Sequence, residues 1–140
     1  MKLQRDDRRE VIAETSLGSL KGLLEDGVCV WRGIPYAEPL SPQRRFSEPV
    51  PVGPWSGVRD ALEFSGICPQ KSILRWNVAE DCLSLNIWAP ETGDVAEGRY
   101  AASGESRPVL FFIHGGAFSN GAGSESLYDG SKLAQNGDAV

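Results

Sequence analysis

The sequence predicts an α/β fold, with a small antiparallel sheet at the amino end followed by the first strands of a larger central sheet. Three observations predict it. Short apolar-rich runs at 11–16, 19–24 and 28–31 are separated by Gly18 and by Asp26-Gly27, a dipeptide that tolerates positive φ at both positions of a tight hairpin. Val109 to Ile113 is an unbroken apolar run between Pro108 and His114, the pattern of a strand covered on both faces. Sixteen glycines and nine prolines among 140 residues exceed the usual share and argue against a helical bundle.

Taken in order, residues 1–10 read as a solvated tail, because Arg5, Arg8 and Arg9 are diluted by Asp6, Asp7 and Glu10. Residues 11–140 read as one unit. Its three opening strands lead into 33–57, which holds most of the prolines. Proline fixes φ and removes a backbone donor, so this stretch wraps a surface and builds no ladder. The pattern over 58–79 is ambiguous. Leu83 to Ala89 alternates apolar and polar positions, as a half-buried strand does. Residues 91–107 are small and polar and read as an exposed connection. After the 109–113 run, Asp129 to Asn136 reads as a short helix, capped by Asp129 and stopped by Asn136-Gly137. Asp138 to Val140 then reads as the start of a strand left without a neighbour.

Composition narrows the function. A net charge of −5 and no clustered basic footprint exclude nucleic acid as an expected partner. No run approaches the ~18 apolar residues of a membrane span. The first ten residues lack an apolar core of the signal-peptide kind, so a cytoplasmic location is expected. The three cysteines, Cys29, Cys68 and Cys82, are too few for a disulfide scaffold and allow one bridge or three thiols. With His114 the only histidine and no CxxC spacing, a zinc site is not expected, and neither is any other cofactor.

The chemistry concentrates at His114-Gly115-Gly116-Ala117-Phe118, directly after the apolar run. Glycines let the backbone turn sharply and present N–H groups to a ligand. Acyl transfer needs such donors, because the carbonyl oxygen becomes an oxyanion in the tetrahedral intermediate. A phosphate-cradling loop is the rival for glycines after a strand, but neither GxGxxG nor GxxxxGK(S/T) is present.

Four other segments give this turn a context. Glu80 to Asn86 (EDCLSLN), Gly33 to Ala37 (GIPYA), Pro54 to Ala61 (PWSGVRDA) and Cys68 to Gln70 (CPQ) stand in one order with the HGGA turn. Together they resemble the signatures of type-B carboxylesterases, the α/β-hydrolases that include cholinesterases and para-nitrobenzyl esterases. The chain is similar to the amino-terminal portion of such proteins.

The resemblance implies hydrolysis of small carboxylic esters by a serine nucleophile. It places the oxyanion donors on the backbone N–H groups of Gly116 and Ala117, with Gly115 supporting the turn and His114 as scaffold. It implies a Cys68–Cys82 disulfide, closing a loop that the chain-entropy model values at about 3 kcal/mol. It further implies a buried ion pair between Arg45 and Glu80. Trp76-Asn77 is similar to the tryptophan lining the cholinesterase gorge, within a shorter loop. The nucleophile, acid and histidine of the triad are missing: no serine has glycine at both −2 and +2, and Ser119 is preceded by Ala117. This stretch alone is therefore expected to be inactive. The alternative is a cholinesterase-like binding or adhesion module without catalysis. Oligomeric state is left open by these residues.

Overall fold

Asp26 and Gly27 adopt φ of 48° and 78°, the pair of positive values that matches a two-residue turn to the twist of its strands. They join β2 (Gly18–Glu25) to β3 (Val28–Pro35), with Glu25 opposite Val28. β1 (Arg9–Thr15) pairs antiparallel with β2. Between them Thr15 Oγ1 accepts the N–H groups of Leu17 and Gly18 at 3.1 and 3.2 Å. This architecture comes from a computed structural model, which describes residues 9–40, 42–71, 77–91, 95, 98–100, 107–136 and 140.

Three further strands complete a mixed sheet. β4 (Val58–Asp60) runs parallel to β2, β5 (Ser84–Pro90) antiparallel to β3, and β6 (Arg99–Tyr100) parallel to β1. The order is β5-β3-β2-β1-β6, with β4 beside β2. β3 is paired along both edges, by β5 and β2, and both of its faces are covered. Cys29 and Trp31 face the main cluster with Val11, Leu20 and Leu24. Val28 and Val30 face the other side, against Ala134 of α1 (Ser131–Gln135) and Trp88. Each such side chain contributes about 1.5–3 kcal/mol by leaving water. Trp31 meets Tyr100 edge to face at 5.2 Å and lies over Gly22, where a Cβ would come within 2.6 Å of its ring.

The proline-rich stretch does enter a ladder at its start, where Gly33–Pro35 end β3 and Ile34 and Pro35 pair with Leu85 and Ser84; its other described residues form a 3₁₀ turn at Pro42–Arg44 and an isolated bridge between Ala37 and Pro51. Among the described residues no helix is long and apolar enough to cross a membrane.

Several expectations need correction. Arg9 and Glu10 belong to β1, not to the tail, because their backbones pair with Leu24 and Leu23; residues 1–8 lie outside the described residues. The connection 91–107 is not wholly exposed. Val95 is buried in the main cluster, and Arg99–Tyr100 pairs with Ile12 and Ala13. Gly130, not Asp129, takes the N-cap of α1, while Asp129 accepts the Ser131 N–H at 2.8 Å. Gly137 lies outside the described residues.

The largest departure is the run Val109 to Ile113, which forms no strand and is 57–76% exposed. A strand buried on both faces needs partners at its edges and layers above and below. Here the described residues supply little: Phe112 tilts against Tyr128, with ring centroids 5.1 Å apart, and one neighbour bonds to the backbone of the run. Val140 donates to the Pro108 carbonyl at 3.1 Å and accepts from the Leu110 N–H at 2.9 Å. Those two bonds have the spacing of a parallel neighbour, so Val140 is not the unpaired ending expected from sequence.

An exposed apolar run of this kind invites association. The 140-residue chain by itself is expected to self-associate with rising concentration, and Phe111→Lys should raise the concentration at which this begins. Sedimentation velocity checks it, and equal behaviour of the two proteins would refute it.

Candidate active site

The turn after the apolar run is built from backbone that most residues avoid. Gly116, Ala117 and Phe118 have φ of 124°, 52° and 56°. Left-handed backbone costs about 1–2 kcal/mol for each residue that carries a Cβ, and it persists only where the surroundings impose it. Gly116 admits no substitute, since a Cβ there would lie 1.8 Å from the Asn120 carbonyl oxygen. Gly115 is different: a Cβ would meet nothing within 4 Å.

Two anchored carbonyls orient the peptide planes. His114 Nδ1 lies 2.7 Å from the Gly115 oxygen, and since a carbonyl only accepts, that nitrogen carries the proton. The Gly116 oxygen accepts the N–H groups of Ser119 and Asn120 at 2.9 and 3.1 Å, and the Ser119 hydroxyl at 3.1 Å. In a trans peptide the N–H points opposite to the C=O. The Gly115 oxygen therefore directs the Gly116 N–H, and the Gly116 oxygen directs the Ala117 N–H. Neither N–H donates to an acceptor among the described residues. Ala117 is exposed, and Gly116 is half-buried.

Side chains from three other places hold the loop downstream. Gln70 makes two bonds to Gly121, accepting its N–H at 2.9 Å and donating to its carbonyl at 3.0 Å. Glu125 accepts the Ala122 N–H at 3.1 Å. Asn86 of β5 donates to the Gly123 carbonyl at 3.3 Å while accepting the Gly33 N–H at 2.9 Å. Gln70 and Asn86 stand in the CPQ and EDCLSLN segments, which the sequence marks as signatures without disclosing this role.

His114 and Ser119 are brought into one loop, but both are committed to its backbone, and among the described residues no serine–histidine pair forms. The His114 ring also stacks on Tyr128, with centroids 6.4 Å apart.

The other site residues sit elsewhere. Arg45 pairs with Glu80 through both carboxylate oxygens. The two side chains are 54% and 44% exposed, so the pair is not buried, and water screens it. Cys68 and Cys82 are free thiols, not a disulfide. Their sulfurs are hydrogen-bonding neighbours, and a bond between them would require oxidation. Burial, with Cys68 beside it, pushes the Cys82 thiol up to about 11. Burial does the same to Cys29, again to about 11. Trp76 lies outside the described residues.

Comparison with known proteins places these features in a family context. Residues 9–140 match the model of the carboxylesterase family. The para-nitrobenzyl esterase of Bacillus subtilis is 44% identical over 136 residues, covering 92% of this chain and 26% of that protein. The phenmedipham hydrolase of Pseudarthrobacter oxydans is 40% identical over 139 residues, covering 92% and 26%. Among solved structures, a Geobacillus stearothermophilus carboxylesterase superposes with a TM-score of 0.77 at 44% identity, covering 92% of this chain and 25% of that one. The chain spans about a quarter of the length of the curated relatives it matches.

A raised thiol pKa means little thiolate near neutrality, and thiolate is the reactive form. Under reducing conditions at about pH 8, iodoacetamide is expected to label exposed Cys68 well before Cys82 and buried Cys29. The Cys82 rate should keep climbing toward pH 11. Time-resolved peptide mass analysis reads this, and equal rates at Cys68 and Cys82 would contradict it.

Proposed function

The chain belongs to the carboxylesterase family, and from that premise we propose that it works as the amino-terminal part of a serine hydrolase of carboxylic esters. The observation that carries this reading is the pair of amides at Gly116 and Ala117, without an acceptor among the described residues and held in strained backbone. Strain of this kind points to function when the surrounding structure maintains it.

A serine supplied from outside these residues attacks the ester carbonyl, and the oxygen gains a full negative charge. The N–H groups of Gly116 and Ala117 donate to that oxygen, and Gly115 lets the backbone enter the turn without a side chain in the way. The alcohol leaves, an acyl-enzyme remains, and water releases the acid. Each such donor contributes about 2.7–4 kcal/mol to the transition state. The scheme calls for no metal or organic cofactor. The carboxylesterase family match and the name of one relative, para-nitrobenzyl esterase, support a small-molecule ester as substrate.

A second reading, a binding module of cholinesterase type without catalysis, draws on the commitment of both His114 and Ser119 to the turn's own backbone. A chimaera separates the two. Residues 1–140, joined to the remainder of the Bacillus subtilis para-nitrobenzyl esterase, are expected to hydrolyse para-nitrobenzyl esters. A folded chimaera without turnover would favour the binding module. The 140-residue chain alone is expected to show no esterase activity above buffer, and turnover that survives rigorous purification would refute this. Within the chimaera, Gly116→Val should lower kcat about 10²–10³-fold with KM little changed, as for a group acting in the transition state. An unchanged kcat would remove the amide assignment.

A further inference from the structure

We propose that Gln70 is a positioning residue for the turn that carries the Gly116 and Ala117 amides, an inference that rests on the oxyanion reading above. The Gln70 carboxamide addresses both polar atoms of one residue. Its Oε1 accepts the Gly121 N–H at 2.9 Å, and its Nε2 donates to the Gly121 carbonyl at 3.0 Å and to the Cys68 carbonyl at 3.1 Å. A planar group engaged at both ends fixes direction as well as distance, much as a neighbouring strand would.

Gly121 in turn stands where it constrains the peptide that matters. Its φ is 101°, and a Cβ on it would lie 2.7 Å from the Gly115 oxygen and 2.9 Å from His114 Nδ1. Gly121 therefore packs directly on the hydrogen bond between His114 and the Gly115 carbonyl. That carbonyl shares its rigid peptide plane with the Gly116 N–H. If Gly121 moves, the plane loses its support and the donor turns away from the developing charge. Misplacement of a catalytic group by 1 Å can lower a rate by about 10²-fold. Gln70 touches no reacting atom; it acts through Gly121.

The test compares Gln70→Met with Gln70→Glu in the chimaera. Methionine has similar length and flexibility without the hydrogen bonds, so a role limited to filling space would survive it. Gln70→Met is expected to lower kcat about tenfold or more, leave KM within about twofold, and leave the melting temperature nearly unchanged. Gln70→Glu keeps the acceptor for the Gly121 N–H, and should recover part of the lost kcat. Amide exchange at Gly121 provides a readout independent of turnover, and Gln70→Met should accelerate it. Unchanged kcat, or a fall in kcat matched by a fall in melting temperature and not recovered in Gln70→Glu, overturns the proposal. If the unsubstituted chimaera folds but is inactive, the oxyanion reading fails. Faster Gly121 exchange in Gln70→Met then still supports the clamp, and unchanged exchange overturns it.

Discussion

The orientation of two peptide planes is the constraint on which this site depends. A backbone N–H cannot be aimed by its own residue; it is aimed by whatever holds the carbonyl across the peptide bond. Here the Gly115 carbonyl is held by His114, and the Gly116 carbonyl by Ser119 and Asn120. The His114 ring and the Ser119 hydroxyl both bond to the turn's own backbone. The left-handed backbone of Ala117 and Phe118 is the steric penalty of this turn, and the closeness of the Asn120 carbonyl reserves position 116 for glycine.

The sheet meets that loop at an irregularity in β3. Between Trp31 and Ile34 the register of β3 against β5 shifts, and such a bulge leaves ladder groups unpaired. Gly33 has φ of 68° at this point, with the Glu63 carbonyl 2.7 Å from where its Cβ would be. Its freed N–H goes to Asn86, whose amide nitrogen reaches the Gly123 carbonyl. Neighbouring Arg32 forms a two-pronged pair with Glu25 at 2.6 and 3.2 Å, and its guanidinium lies 5.4 Å from the centre of the Phe64 ring. A defect in the ladder thus becomes the tie between the buried strand β3 and the site loop.

What could be read in the sequence was whatever depends on local backbone preference. Asp26-Gly27 announced its hairpin because few other dipeptides accept two positive φ values, and β1, β2, β3 and β5 followed from short apolar alternation. The HGGA turn and its glycines were legible for the same reason. Partners distant along the chain were not. Nothing local says that Gln70 will reach Gly121 or that Asn86 will span Gly33 and Gly123, since both ties join segments that only the fold brings together. The run 109–113 failed in the opposite direction: its apolar pattern states where the side chains would gain most, whereas the described residues provide little to bury them against.

That exposed run and the amides pose one physical problem. In water an N–H exchanges one hydrogen bond for another, and the net gain is about 1 kcal/mol. The several-fold larger contribution of an oxyanion donor arises when water is excluded and the local dielectric falls. Ala117 and Phe118 are exposed, as are Val109 to Ile113 just upstream. Polypeptide that covered the five apolar side chains would gain on the order of 10 kcal/mol of burial and would at the same time dry the adjoining turn. Folding energy and catalytic electrostatics would then come from the same layer. The apolar run and the glycine turn adjoin in sequence, so one cover would serve both and would offset the strain at Ala117 and Phe118.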